Sequence, residues 1–125
     1  MATTLTQMLE AAHAAVPKIS PAAAAELVAN GNAVIVDIRD GTEVAASGKA
    51  KGAITIPRGS LESRACPSSA THRKEMQYDR PIVLYCAGGN RAALAGKTLL
   101  ELGYKDVRNL GGFKDWVAGG GAIEK

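Results

Sequence analysis

The stretch that decides the fold is Pro81-Ile-Val-Leu-Tyr-Cys-Ala-Gly-Gly-Asn-Arg91, followed by a run that extends to Leu102. Its first five residues form a short apolar segment, which is typical of a buried strand. The run from Ala92 to Leu102 predicts a helix, and the glycine that follows is a common helix terminator. A strand therefore passes directly into a loop and a helix, with Cys86 just beyond the carboxyl end of the strand.

The flanking sequence predicts the same alternation of strands and helices. Strands are expected around Ile19 and over residues 33–38, 53–56 and 107–110. Helices are expected over residues 20–29, from about Thr42 and around Trp116, and the polar stretch 58–79 is expected to hold one or two short ones. This order predicts an α/β fold with a mostly parallel central sheet and helices on both faces. Ligands of such sheets bind beyond the carboxyl ends of the strands.

The chain has 125 residues, which is the size of one α/β domain. Between Thr4 and Val16, apolar residues recur at helical spacing on one face, and Pro17 ends this segment. We therefore divide the chain into an N-terminal helical extension, residues 1–17, and a domain, residues 18–125. The apolar stripe is expected to pack on the domain rather than on a partner. The glycines of residues 119–121 predict a loose tail.

Composition excludes several classes of function. The net charge is +3 with scattered basic residues, so nucleic-acid binding is not expected, although a small anionic substrate is favoured. No apolar run is long enough to span a membrane, and the N-terminus lacks the features of a signal peptide, so a cytoplasmic location is expected. The two histidines are far apart and the two cysteines do not form CxxC, so neither a metal nor another cofactor is expected.

The loop from Cys86 to Arg91 has the composition of an anion-binding cup. Amide groups at a helix N-terminus attract negative charge, and Gly88 and Gly89 allow the backbone to curl and expose them. A thiol at the lip of this cup is biased towards thiolate by these amides, by the helix dipole and by Arg91. The loop residues Ala87 to Arg91 are therefore predicted to hold a sulfur atom attached to Cys86. The alternative is that Cys86 is a small buried core residue.

The length of the loop distinguishes phosphatase chemistry from sulfur transfer. Cysteine phosphatases use C-x5-R, whereas this loop is C-x4-R, one residue shorter. The smaller cup suits one sulfur atom better than a tetrahedral phosphate. Tyr85 also stands where protein tyrosine phosphatases usually have histidine.

The chain contains four notable segments in order: Asp37–Arg39 with Glu43, Gly48–Pro57, Cys86–Arg91 and Asn109–Trp116. Together, over residues 18–119, they resemble the rhodanese family, the thiosulfate sulfurtransferases. Cys86-Ala-Gly-Gly-Asn-Arg91 is similar to the six-residue active loop of the family. Asp37-Ile-Arg39 followed by Glu43 is similar to its D-x-R…E segment. The stretch Gly48–Pro57 resembles its GHIPGAINIP segment, and Asn109–Trp116 resembles its closing N-L-x-G-G-x-x-x-W.

The resemblance implies a persulfide on Cys86, with thiosulfate or another sulfane-sulfur compound as donor and cyanide or a thiol as acceptor. Many members carry arginine directly after the cysteine, where this chain has Ala87, and this departure weakens the case for thiosulfate. It motivates a second hypothesis, a persulfide carrier or sensor module that serves a protein partner. A small phosphatase or arsenate reductase is the remaining alternative.

Other conspicuous residues have a structural and a functional interpretation. The Asp37, Arg39 and Glu43 group is expected to fix a loop rather than to catalyse. Arg58 follows a strand end, so it either faces the pocket and attracts an anion or lies on the solvated surface. Cys66 is expected to be an incidental exposed thiol, and Trp116 is expected to pack in the core.

Overall fold

The computed structural model describes residues 2–125 and confirms the predicted α/β fold. Its elements, in chain order, are α1 (Leu5–Ala15), α2 (Pro21–Gly31), β1 (Val34–Asp37), α3 (Gly41–Ser47), β2 (Lys49–Ala50), β3 (Ile54–Thr55), a 3-10 turn (Arg58–Ser60), α4 (Leu61–Ala65), β4 (Ile82–Cys86), α5 (Asn90–Leu102), β5 (Val107–Gly112), α6 (Phe113–Ala118) and β6 (Ile123–Glu124). The strand expected around Ile19 is reduced to a single bridge between Lys18 and Asn109.

The central sheet has four parallel strands in the order β3-β1-β4-β5. Every residue of β1 and of β4 is buried, because these two strands lie in the middle of a sheet that is covered on both faces. Their contiguous apolar sequences reflect this burial. The carboxyl ends of β1, β4 and β5 lie side by side, which places the residue that ends β4 at a shared edge.

Alternate residues of the central strands enter two separate cores. Val34, Val36, Ile82 and Leu84 pack on one face with α4 and α5. Their sequence neighbours pack on the other face with α2 and α6, and Trp116 joins this second core, as predicted. This strict alternation fixes the register, since a shift by one residue would exchange the two faces.

The N-terminal helix packs on α5. Thr4 and Gln7 form a capping box that starts the helix, and Ala12 and Val16 at its other end are buried. A Cβ on Gly96 of α5 would lie 2.9 Å from the Val16 side chain, so the two segments approach closely there. The predicted apolar stripe is buried only in its second half, because Met8 remains half exposed.

The prediction of a loose tail is wrong. Strand β6 pairs antiparallel with β2, and the Lys49 ammonium lies 2.7 Å from the Glu124 carboxylate. The Trp116 indole N–H donates to the carbonyl of Ala122 at 2.7 Å. Gly121 packs against this indole so closely that a Cβ there would overlap the ring. Gly121 is therefore required for close packing on Trp116. The glycine-rich composition of residues 119–121 does not reveal this contact.

Within residues 2–125, no helix is both long enough and apolar enough to cross a bilayer. The polar stretch 58–79 contains the 3-10 turn and α4, in agreement with the prediction of short helices. Two anchors hold it against the domain. Met76 is fully buried, and the Tyr104 hydroxyl donates to the carbonyl of Ala65 at 2.7 Å.

Candidate active site

Cys86 is the last residue of β4, and only 1% of its surface is exposed. Its sulfur accepts a hydrogen bond from the amide of Gly89, with 2.9 Å between nitrogen and Sγ. Gly89 has a φ of +105°, a conformation that favours glycine, and this turn brings its amide back over the sulfur. The thiol therefore lies beneath its own loop, while Ala87 and Gly88 are exposed above it.

Helix α5 begins at Asn90, with Gly89 as its cap. The first turn of a helix leaves amide groups without intrahelical partners, and here that turn contains Asn90 and Arg91. The predicted succession of a strand end, a glycine turn and a helix start is thus present. The Gly89 amide at the sulfur and the free amides of this first turn are suited to stabilise negative charge on an atom bonded to Sγ.

The end of β5 supports the loop from below. The Asn109 side-chain amide donates to the carbonyl of Gly89 at 3.1 Å and its oxygen accepts from the amide of Gly111 at 2.8 Å. A Cβ on Gly89 would lie 3.3 Å from the Gly111 Cα, and a Cβ on Gly112 would overlap the Ala87 carbonyl oxygen. Asn109 and Gly112 were not predicted as site residues. The sequence feature that could have identified them is the closing N-L-x-G-G segment. Its second glycine, Gly112, is required because the backbone approaches Ala87 so closely.

Replacement of Gly112 by alanine is expected to move the loop. The added methyl group would overlap the carbonyl of Ala87, so the backbone on one side must shift, and we expect a loss of about 1–3 kcal/mol in the free energy of unfolding. Any activity that depends on the loop should fall with it. Urea denaturation and an activity assay measure the two effects.

Gly59→Ala is the matched control, because Gly59 is exposed and a Cβ there meets no atom within 4 Å. Equal effects of the two substitutions would contradict the close packing of Gly112 on the loop.

Arg91 points its guanidinium towards α3. Its two terminal nitrogens donate to the two carboxylate oxygens of Glu43 at 3.1 and 3.2 Å. The hydrogen bond to Glu43 raises the pKa of Arg91, and the bond from Arg91 lowers the pKa of Glu43. Both side chains are about one third exposed, so the ion pair orients Arg91 more than it stabilises the fold. Glu43 therefore links α3 to the start of α5.

Asp37 and Arg39 form a buried ion pair behind the cysteine, with 2.7 Å between Arg39 Nη2 and Asp37 Oδ2. The Tyr85 hydroxyl donates to the same carboxylate oxygen at 2.6 Å. The Arg39 guanidinium also donates to the carbonyl of Gly48 and lies 4.3 Å from the centre of the Phe113 ring. Hydrogen bonding to Asp37 raises the pKa of Arg39, and burial raises that of Tyr85. These contacts fix the residue that precedes Cys86.

Two further candidates, Arg58 and Cys66, make their side-chain hydrogen bonds with residues outside the loop. The Arg58 guanidinium donates to Glu62 at 3.0 Å and to Thr98 at 3.4 Å, and these contacts do not bring it to Cys86. Cys66 is partly exposed rather than fully exposed, and a hydrogen bond with Ser68 lowers the pKa of its thiol. Residues 2–125 contain no group of three histidine, cysteine or acidic side chains that could hold a metal ion.

Residues 20–119 of the chain match the sequence model of a protein family, the rhodanese-like domain. The chain belongs to the rhodanese family. The resemblance seen in the four sequence segments is confirmed, and the loop that begins at Cys86 lies at the carboxyl edge of the sheet in this rhodanese domain.

This rhodanese domain is similar to two curated proteins. It is 34% identical over 93 residues to the uncharacterized protein YqhL of Bacillus subtilis, covering 74% of this chain and 64% of YqhL. It is 31% identical over 111 residues to human thiosulfate:glutathione sulfurtransferase, covering 83% of this chain and 96% of the human enzyme.

A solved structure matches the rhodanese domain together with its N-terminal helix. It is RPA3614 from Rhodopseudomonas palustris, described as a protein of unknown function and possible tyrosine phosphatase. The TM-score is 0.88 and the identity 38%, and the match covers 99% of this chain and 96% of RPA3614. The helix that precedes the rhodanese domain is therefore shared by a second protein.

Proposed function

We propose that this rhodanese domain is a sulfurtransferase that carries sulfane sulfur as a persulfide on Cys86. The observation that carries the proposal is the hydrogen bond from the Gly89 amide to Sγ, within a loop that opens a helix. Ala87, Gly88, Gly89, Asn90 and Arg91 would surround the outer sulfur with amide groups. The domain needs no cofactor for this chemistry, because the thiol itself is the carrier.

In the loading step, the Cys86 thiolate attacks the outer sulfur of thiosulfate. A bond forms between Sγ and that sulfur, and the bond from that sulfur to the sulfonate sulfur breaks. The electron pair of the broken bond leaves with sulfite, so no external oxidant or reductant is required. The burial of Cys86 favours a donor whose transferable sulfur is terminal and unhindered. Cyanide or a thiol then removes the outer sulfur and restores the Cys86 thiolate.

The name of the human relative supports both ends of this reaction, since it contains thiosulfate and glutathione. We propose the same classes of donor and acceptor here. The proposed location is the cytoplasm, where a reducing environment keeps Cys66 and Cys86 as thiols.

A carrier that receives its persulfide from a protein partner is the second candidate. Ala87 favours it, because this exposed position lacks the positive charge that would attract a free anionic donor. Arg91 does not replace that charge fully, because its guanidinium is paired with Glu43. A carrier would load slowly from thiosulfate and quickly from a protein persulfide.

The phosphatase description of RPA3614 makes a third candidate worth testing, although the four-residue spacing between Cys86 and Arg91 opposes it. Release of phosphate from an aryl phosphate, lost on substitution of Cys86, would support a phosphatase.

The test is the intact mass of the protein after brief incubation with thiosulfate, followed by peptide mapping. We expect the wild type and Cys66→Ser to gain the mass of one sulfur atom, located on the peptide that contains Cys86. Gain with a protein persulfide but not with thiosulfate would favour the carrier. A sulfur atom located on Cys66, or no gain from either donor, would contradict the proposal.

A further inference from the structure

A cavity of about 230 Å³ lies directly beside the loop from Cys86 to Arg91. Gly88, Gly89 and Asn109 are among the residues that line it. The volume is below the roughly 300–1,000 Å³ of sites that enclose drug-sized ligands, so it accommodates a small molecule or one end of a larger one. Gly89 lines this cavity and its amide nitrogen lies 2.9 Å from Cys86 Sγ, so the same residue contacts both the cavity and the reactive sulfur.

The N-terminal segment also lines this cavity, through His13 of α1 and Lys18. His13 Nε2 lies 3.2 Å from the side-chain oxygen of Asn90, so the helix contacts the loop itself. The residues that precede the matched rhodanese domain, which starts at residue 20, are therefore part of the surroundings of the loop.

Two side chains of opposite charge, Lys18 and Asp115, line the cavity. Lys18 is exposed and takes part in none of the seven ion pairs among residues 2–125. Asp115 Oδ2 accepts from the amide of Gly112 at 2.8 Å, which fixes the carboxylate at the cavity. Its second oxygen makes no hydrogen bond in the described part of the chain. The cavity thus offers one ammonium group and one carboxylate.

We propose that this cavity binds the zwitterionic amino-acid end of a small thiol that accepts sulfur from Cys86. Lys18 pairs with the α-carboxylate of the acceptor, and Asp115 pairs with its α-ammonium group. Glutathione and cysteine both carry such an end, whereas simple alkyl thiols and cyanide do not. The inference rests on the proposed function, because it names the acceptor class of that reaction.

The transfer step balances without another reactant. The acceptor thiolate attacks the outer sulfur of the protonated Cys86 persulfide. A sulfur–sulfur bond forms in the acceptor, and the bond between Sγ and the outer sulfur breaks. The electron pair of that bond stays on Sγ as the thiolate, and the proton stays on the outer sulfur in the product persulfide.

The first test compares acceptors at saturating thiosulfate. We expect Lys18→Met and Asp115→Asn each to raise the KM for glutathione about fivefold, the scale of one exposed ion pair, with kcat unchanged. The KM values for 2-mercaptoethanol and cyanide should stay at the wild-type level in both variants. Lys105→Met is the matched control, because Lys105 is exposed and does not line the cavity. An equal rise in KM for glutathione and 2-mercaptoethanol, or no rise for glutathione, would overturn the assignment.

The second test does not depend on turnover. S-methylglutathione, which cannot accept sulfur, is titrated into the Cys86→Ser variant while backbone amide resonances are recorded. We expect shifts at Gly88, Gly89 and Asn109 that require a higher ligand concentration when Lys18→Met is added. Shifts confined to other residues would overturn the proposal. If the wild type forms no persulfide but these shifts appear, the proposed function fails and the binding site stands.

Discussion

Sulfur transfer from thiosulfate to cyanide is expected to fall by at least about a thousandfold when Cys86 is replaced by serine, which is the scale for loss of a catalytic nucleophile. The serine oxygen occupies nearly the same place but does not form a bond to sulfur that the acceptor can open. The amides of the loop remain, yet they have no persulfide to hold. The measurement is initial rate at saturating donor for both proteins.

Cys66→Ser is the necessary control for this experiment. Cys66 is partly exposed and its pKa is lowered by Ser68, so it is the competing thiol. We expect Cys66→Ser to turn over at the wild-type rate. Retention of activity in Cys86→Ser together with loss in Cys66→Ser would transfer the role to Cys66. A thermal melt of each variant establishes that a lost rate reflects chemistry rather than unfolding.

Replacement of Arg39 by methionine is expected to cost about 3–5 kcal/mol in the free energy of unfolding. Methionine is apolar and similar in length to arginine, so it fills much of the same space. It leaves the Asp37 carboxylate buried without its ionic partner. It also removes the hydrogen bond to the carbonyl of Gly48, which holds the chain after α3. Urea denaturation measures the loss. For a domain with a total stability of about 5–15 kcal/mol, the effect is severe.

A second substitution separates the charge from the packing. In the double variant Arg39→Met with Asp37→Asn the uncompensated charge is gone, while the side chain at residue 37 still accepts from Tyr85. We expect the double variant to be more stable than Arg39→Met alone. Arg108→Met removes an exposed pair, 2.9 Å from Asp106, and should cost less than about 1 kcal/mol. Equal losses in the free energy of unfolding for Arg39→Met and Arg108→Met would contradict the prediction, because they would show that burial of the Asp37–Arg39 pair does not increase its effect on stability.

The sequence predicted those parts of the fold that depend on neighbouring residues. The apolar runs of β1 and β4 lie between turn residues, so the local pattern alone indicates buried parallel strands. The position of Cys86 follows from its place between a strand and a helix. The loop glycines were also recognisable, because the backbone must curl within a few residues of the cysteine.

Features that depend on distant residues were not predictable in this way. The guanidinium of Arg58 donates to Glu62 and Thr98, and nothing in the residues near Arg58 specifies Thr98 as its partner. The approach of His13 to Asn90 joins residues 77 positions apart. The pairing of β6 with β2 was missed for the same reason, and the glycines before β6 suggested mobility instead.

The pairing of β2 with β6 also has a consequence for the order in which the chain folds. Residues 49 and 50 have no partner strand until residues 123 and 124 have been synthesised. The four-stranded sheet needs only residues up to 112, so it can assemble while the last segment is still absent. Contacts of such long sequence separation form slowly because a large loop must close first. We therefore expect the Trp116 indole, which donates to the carbonyl of Ala122, to reach its final packing late in folding, so that its fluorescence should change after the sheet has formed.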